Sequence, residues 1–392
     1  MSEGVFLAGA VRTAIGSFCG TLADCGAAAL GCAVVKTAID RAAVDAEHVD
    51  QVILGNVIGA GLGQNVARQA AIGAGIPFDV PACTINKVCG SGLYSVMLAA
   101  QAIRCGDSRI VVAGGTESMT QAPYLLPKAR TGYRMGHGEL TDSLIRDGLW
   151  DVYHGQHMGV YGDRCAEHCR LSREDQDEYA IGSYRRALES QREGWFSAEI
   201  VPVAVPGRNG TVSVSEDEEP QRFNEPKLRA LKPAFDKDGT VTAGNASSVN
   251  DGAAALVVVA EQVLKQENVR PLARIVGCSS FSREPEWFTL APIGAIQQVL
   301  RNVGWQVGDV DLFEVNEAFS AVPMAAMREL EIPREKMNIH GGAVALGHPI
   351  GASGARILVT LLHAMQRVGA GRGVASLCIG GGEAVAVAVE RC

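Results

Sequence analysis

The 392-residue chain has no apolar run approaching the ~20 residues of a membrane-spanning helix, which argues against a helical membrane protein. Its first residues, Met1-Ser2-Glu3-Gly4-Val5, lack the basic region and long apolar stretch of a secretory leader. Positive charge is not in excess. The formal net charge of −8 argues against general affinity for nucleic acid. A disulfide framework is missing too: the eleven cysteines are scattered and odd in number, which suits free thiols, a reducing compartment and hence the cytoplasm. No Gly-x-Ser-x-Gly elbow lies near a credible Asp and His. Gly59-Ala60-Gly61-Leu62-Gly63 lacks the third glycine spacing and the downstream acidic residue of a dinucleotide loop. Cys165, His168 and Cys169 fall in a helix-like run with no second ligand pair at suitable spacing, so no metal is expected.

At 47% apolar and 20% charged residues, the chain has ample material for two or three domains or one large compound fold. Its two ends look alike. Arg109–Gly115 and Gly373–Gly382 each read as a buried strand running into glycines. Each follows a helix-period segment, marked by Leu93, Val96, Met97, Ala100 and Ile103 in one case. In the other the markers are Ile357, Leu358, Leu361, Leu362 and Met365. This rhythm predicts layered α/β units with buried sheets, in two similar halves.

Between the halves prolines, histidines, tyrosines and charges become common. One amphipathic helix is expected after Ser172, a credible N-cap with Asp175 three residues on. The run Glu216-Asp217-Glu218-Glu219-Pro220 reads as a solvated loop, and Asn250-Asp251-Gly252 as a turn before an apolar strand from Ala253 to Ala260. The expected division is residues 1–119 as a first α/β half, completed by about 250–270. Residues 120–249 then form an inserted loop domain over the ligand, and 271–392 a second half.

Two cysteines in glycine-rich turns carry the chemistry. Cys89 lies in Asn86-Lys87-Val88-Cys89-Gly90-Ser91-Gly92, and Cys378 in Cys378-Ile379-Gly380-Gly381-Gly382. Glycines let backbone approach a ligand and expose N–H groups to an oxyanion. Helical spacing from Gly92 onward puts Cys89 at a helix N-terminus, where the dipole is expected to favour a thiolate. His348, in Gly347-His348-Pro349-Ile350-Gly351, is held extended by the following proline and suits a base for Cys89. Asn316, in Glu314-Val315-Asn316-Glu317, ends a strand-like segment, as a helix cap or as a ligand contact.

These four blocks, in order and spacing, resemble those of thiolases, which make or cleave 3-ketoacyl-CoA thioesters. The resemblance spans essentially the whole chain and is strongest to the short-chain branch acting on acetyl- and acetoacetyl-CoA. It implies two similar α/β halves in five layers (αβαβα) with an inserted loop domain, in a homotetramer. It also implies that Cys89 accepts an acetyl group while His348 removes its proton, and that Cys378 takes an α-proton from a second acetyl-CoA. The backbone N–H groups of Cys89 and Gly380 would hold one oxyanion; His348 and a water on Asn316 would hold the other. No cofactor is implied beyond the CoA thioesters themselves.

The same resemblance places Ser247 and Ala246, in Ala243-Gly244-Asn245-Ala246-Ser247-Ser248, beside pantetheine, and His157 and Met158 around a short acyl pocket. Arg222, with Lys227, either meets the CoA phosphates or belongs to a solvated basic patch. Trp287 and Phe288 depart from the family's glycine-rich run there and add bulk at the acyl pocket. Three other readings differ in chemistry. A degradative thiolase would accept longer chains. A decarboxylating condensing enzyme would carry His or Asn at position 378, and a non-catalytic relative would lose Cys89, His348 or Cys378.

Overall fold

The computed structural model describes residues 3–207 and 210–392; Met1 and Ser2, which open the terminus read above for a leader, lie outside it. The first half contains β1 (Val5–Thr13), α1 (Ala27–Ala42), β2 (Gln51–Gly55), β3 (Ala82–Ile85), α2 (Ser91–Cys105) and β4 (Ile110–Ser118). An excursion follows that includes α3 (Met158–His168) and α4 (Arg173–Arg192). The chain returns through β5 (Asn250–Ala260), which is buried along its whole length between β1 and β4.

The second half repeats the plan with β6 (Ala273–Ser282), α5 (Ala291–Val303), β7 (Leu312–Val315) and α6 (Ala321–Leu330). It ends with α7 (Ile350–Val368), β8 (Arg372–Ile379) and β9 (Glu383–Arg391). The strand order is β7-β8-β9-β6-β1-β5-β4-β2-β3, with the halves joined by a short antiparallel contact of Phe6 and Leu7 with Arg274 and Ala273. Where the first half has β3, the second has only a parallel bridge between Phe313 and Met337.

Helices α2 and α7 pack on each other between the two sheets, α1 covers the outer face of the first, and α5 the outer face of the second. This is a five-layer αβαβα stack. Strands rich in Val and Ala suit sheets buried on both faces. The central helices approach closely because their contact is glycine. A Cβ on Gly92 would stand 2.7 Å from the Ala355 backbone nitrogen, and one on Gly354 2.4 Å from that of Leu93. Their N-termini are thereby brought side by side.

The Ser172 cap forms as read, with Ser172 and Asp175 completing a capping box on α4. Two local readings are corrected. Asn250-Asp251-Gly252 is not a turn but the start of β5. Its polar side chains find partners inside: Asn250 Nδ2 donates to Gly16 O, and Asp251 accepts from Thr120. The acidic run is not a solvated loop. Asp217 is fully buried in a two-pronged pair with Arg12 at 2.7 and 2.9 Å and accepts the Ile15 N–H. Glu199 shares Arg12, so the buried cation is compensated twice.

Candidate active site

Cys89 stands immediately before Gly90, the N-cap of α2. The loop is held in a strained form: Val88, a β-branched residue, has φ of 48°. Its N–H donates to Asn86 Oδ1 at 2.9 Å, and its carbonyl accepts from Ser91 Oγ at 2.7 Å. His348 precedes α7 in the corresponding way, its N–H donating to Asn250 Oδ1 at 2.9 Å. Cys378 is the penultimate residue of β8 and is buried, and the turn to β9 passes through Gly381 and Gly382 at φ of 94° and 93°. Asn316 follows β7 directly.

The segments of Cys89, His348 and Cys378 converge on one cavity of about 250 Å³, lined by these three residues and Gly380 on its reactive side; Asn316 is not in the lining and reaches the site only through His348. His348 Nδ1 lies 2.6 Å from Ser353 Oγ and 3.5 Å from Asn316 Nδ2. The Asn316 Oδ1 faces Arg356 Nη2 at 3.4 Å, which fixes the amide with its NH₂ toward the imidazole. His348 Nε2 is buried and has no partner among the described residues. A buried polar atom left open in a cavity is where a ligand belongs.

The charge states differ from the expectation for Cys89. Burial pushes its thiol up to about 11, although the N–H groups of Gly380 and of Cys89 itself pull the other way. The helix N-terminus therefore does not yield a standing thiolate, because desolvation outweighs these hydrogen bonds. Cys378 is pushed well up as well, first by burial and then by the nearby Cys89. Burial, helped by the Arg356 charge, lowers His348 to about 3. At neutral pH the resting site holds two thiols and a neutral imidazole.

The remaining wall is apolar. His157 stacks on Phe235 at 4.8 Å between ring centroids, and Phe319 meets Phe235 edge-on at 6.3 Å. Met158 opens α3 and lies against Gly380, where a Cβ would come 3.3 Å from its Cε. Phe288 is buried, held edge-on by Tyr161 at 6.1 Å, whose hydroxyl donates to Asp151. Ala246 and Ser247 also line the cavity; Ser247 Oγ donates to Ala318 O at 3.0 Å, tying that loop to the segment after Asn316. Phe235, Phe319 and Ser353 were missed in the sequence: the first has no motif around it, and the other two sit unmarked just beyond the Asn316 and His348 segments.

Two residues stand elsewhere. Arg222 does not reach the cavity lining; it ends a short helical turn and is ion-paired with Glu218, itself anchored by Ser17 and Thr21. An available carboxylate one helical turn away captures it. Trp287 packs on His168 outside the cavity, so only Phe288 of that bulky pair faces the site.

Comparisons with known proteins agree with this architecture. The family described as "Thiolase, N-terminal domain" matches residues 5–262, and "Thiolase, C-terminal domain" matches residues 269–391. An acetyl-CoA acetyltransferase of Escherichia coli is 53% identical over 97% of this chain and 98% of its own length. The cytosolic acetyl-CoA acetyltransferase of Mus musculus is 51% identical over 100% and 99%. The crystal structure of the Bacillus anthracis acetyl-CoA acetyltransferase superposes with a TM-score of 0.97 at 43% identity, covering 100% of this chain and 99% of that one. A thiolase from Ascaris suum in complex with coenzyme A gives 0.95 at 44% identity, covering all of both chains. With both family domains matched across nearly its full length, the chain belongs to the thiolase family.

Proposed function

We propose that the protein is an acyltransferase that joins two acetyl-CoA into acetoacetyl-CoA and CoA, reversibly, through an acetyl-cysteine. The observation that carries this reading is the open Nε2 of a neutral His348 in one cavity with two unionised thiols. The full-length relatives named acetyl-CoA acetyltransferase support it over a broad chain-length degradative thiolase.

The charge states dictate a balanced proton path. Cys89 Sγ attacks the thioester carbonyl as its proton passes to His348 Nε2, and the N–H groups of Cys89 and Gly380 hold the developing oxyanion. Cys378 gives its proton to the departing CoA sulfur, leaving a Cys378 thiolate and an imidazolium. That thiolate takes an α-proton from the second acetyl-CoA. Meanwhile Nε2–H and a water on Asn316 hold the enolate oxygen. The carbanion attacks the acetyl-cysteine, and the released Cys89 sulfur recovers the proton from His348. Both thiols end protonated, as they began. Nothing in these steps calls for a cofactor beyond the CoA thioesters.

Residues 120–249 act as the cover of the CoA site, since they supply His157, Met158, Phe235 and Ser247 to its wall. A homotetramer is supported by the arm in which Tyr124–Leu125 pair with Thr141–Asp142. The arm leaves Tyr124, Leu126, Met135 and Leu140 exposed. A cytoplasmic location is supported by the cytosolic mouse relative. Steady-state thiolysis tests the substrate class. Acetoacetyl-CoA should be cleaved with far higher kcat/KM than an eight-carbon 3-ketoacyl-CoA, because Phe288 and Met158 close the pocket. Equal values would move the protein to the degradative branch.

A further inference from the structure

The mechanism above, on which this inference rests, needs one nitrogen of His348 free of hydrogen before Cys89 is acylated. In histidine-dependent hydrolases a carboxylate on the other nitrogen ensures this. Here the carboxylates behind the site are occupied elsewhere. Glu317 takes Tyr179, Ser183 and Asn338, and Glu314 lies 3.8 Å from Arg356. The nearest polar atom to Nδ1 is instead the Ser353 hydroxyl, at 2.6 Å.

That hydroxyl has one proton and two neighbours. The second is the carbonyl of Pro349, the N-cap of α7, at 2.9 Å and one turn back. A carbonyl only accepts, so the hydroxyl proton points to it, and the oxygen turns a lone pair toward the imidazole. The opposite rotamer would set two oxygen lone pairs against each other at that distance. Asn316 is the weaker neighbour: its Nδ2 can only donate, and at 3.5 Å it competes poorly for Nδ1 against the Ser353 oxygen at 2.6 Å. Ser353 is fully buried.

We propose that Ser353 is the positioning residue that holds the proton of neutral His348 on Nδ1. Nε2 is thereby kept as the lone-pair atom that receives the Cys89 proton and later presents it to the enolate oxygen. The device is Pro349 carbonyl, Ser353 hydroxyl and Nδ1–H in series. Its neutrality matters: a carboxylate in the same place would stabilise the imidazolium and slow return of the proton to Cys89.

The tests separate this claim from the function it rests on. Neutron diffraction from deuterium-exchanged crystals of the free enzyme should show a deuteron on Nδ1, none on Nε2, and the Ser353 deuteron directed at Pro349 O. A deuteron on Nε2 overturns the proposal, whatever the activity. In rapid-quench experiments with labelled acetyl-CoA, Ser353→Ala leaves Nδ1 facing only the Asn316 donor. Nδ1 then becomes an acceptor and Nε2 carries the hydrogen. Acylation of Cys89 should fall by roughly 10²-fold, the low end of what a positioned base contributes, with KM unchanged. Ser353→Thr, which keeps the hydroxyl, should restore most of the rate. Wild-type acylation retained in a folded Ser353→Ala enzyme refutes the proposal alone. A wild-type enzyme that never acylates Cys89 refutes the function instead, and the neutron map still decides the position of the proton. Should Ser353→Ala not fold, that map decides by itself.

Discussion

The two halves of the molecule place different residues at matching positions. In the parallel pairing, Gly55 at the end of β2 sits opposite Gly115, and Val315 at the end of β7 opposite Ser376. Counting on from those pairs, Asn56 corresponds to Asn316 and Glu117 to Cys378. Cys89 before α2 corresponds likewise to His348 before α7. In the first half these strand-end positions are saturated: Glu117 accepts from the N–H groups of Val57, Ile58 and Gly351 and from Asn56 Nδ2. In the second half Cys378 meets the cavity instead, and Asn316 makes only long contacts with His348 and Arg356. A repeated scaffold supplies two equivalent sets of strand ends; one locks the loops in place and the other is left free to react.

Substitutions at the paired positions should therefore fail in different ways. The largest effect is expected for Cys378→Ser. Condensation should drop by about 10²-fold or more, the scale of losing a positioned acid or base, while acetyl transfer to Cys89 survives in part. Label uptake and acetoacetyl-CoA formation measure the two half-reactions, and condensation at the wild-type rate in the variant would remove Cys378 from the chemistry. The matching change in the first half, Glu117→Gln, should cost stability instead. An NH₂ group would then face backbone N–H donors, at about 1–3 kcal/mol for a buried unsatisfied group. Urea unfolding measures that cost, and the folded variant should still acetylate Cys89. A stable Glu117→Gln enzyme with no acylation would erase the contrast between the halves.

The charge states give a smaller, pH-dependent effect. A thiol pushed up to about 11 ionises only as pH rises toward that value. In the free enzyme, alkylation of Cys89 by iodoacetamide should climb with pH through 9 and show no plateau there. A plateau near neutrality would restore the dipole-stabilised thiolate. The smallest effect belongs to Arg222→Ala. Its side chain pairs with Glu218 away from the cavity, and a surface pair contributes ~0–1 kcal/mol, so KM for acetyl-CoA should change less than about fivefold. A tenfold rise would place Arg222 at the CoA phosphates.

The sequence was legible where chemistry and backbone demands coincide. Cys89, His348, Asn316 and Cys378 each sit beside glycine, proline or a strand end, and those neighbours are what bring them together. The capping box at Ser172 was legible for the same local reason. Phe235 carried no such mark: it reaches the cavity because His157 stacks on it, and that is a tertiary fact. Asp217 read as solvated because its partner, Arg12, lies far back in the chain. The sign of the Cys89 shift needed the depth of the cavity, since a helix N-terminus in the sequence says nothing about desolvation.

The mechanism turns most directly on which thiol carries the acetyl group. Brief incubation with labelled acetyl-CoA, acid quench and peptide mapping should place the label on the peptide containing Cys89, with Cys378 bare. Label on Cys378 with Cys89 bare would reverse the assignment of nucleophile and base, and no label on either would contradict the acetyl-cysteine itself.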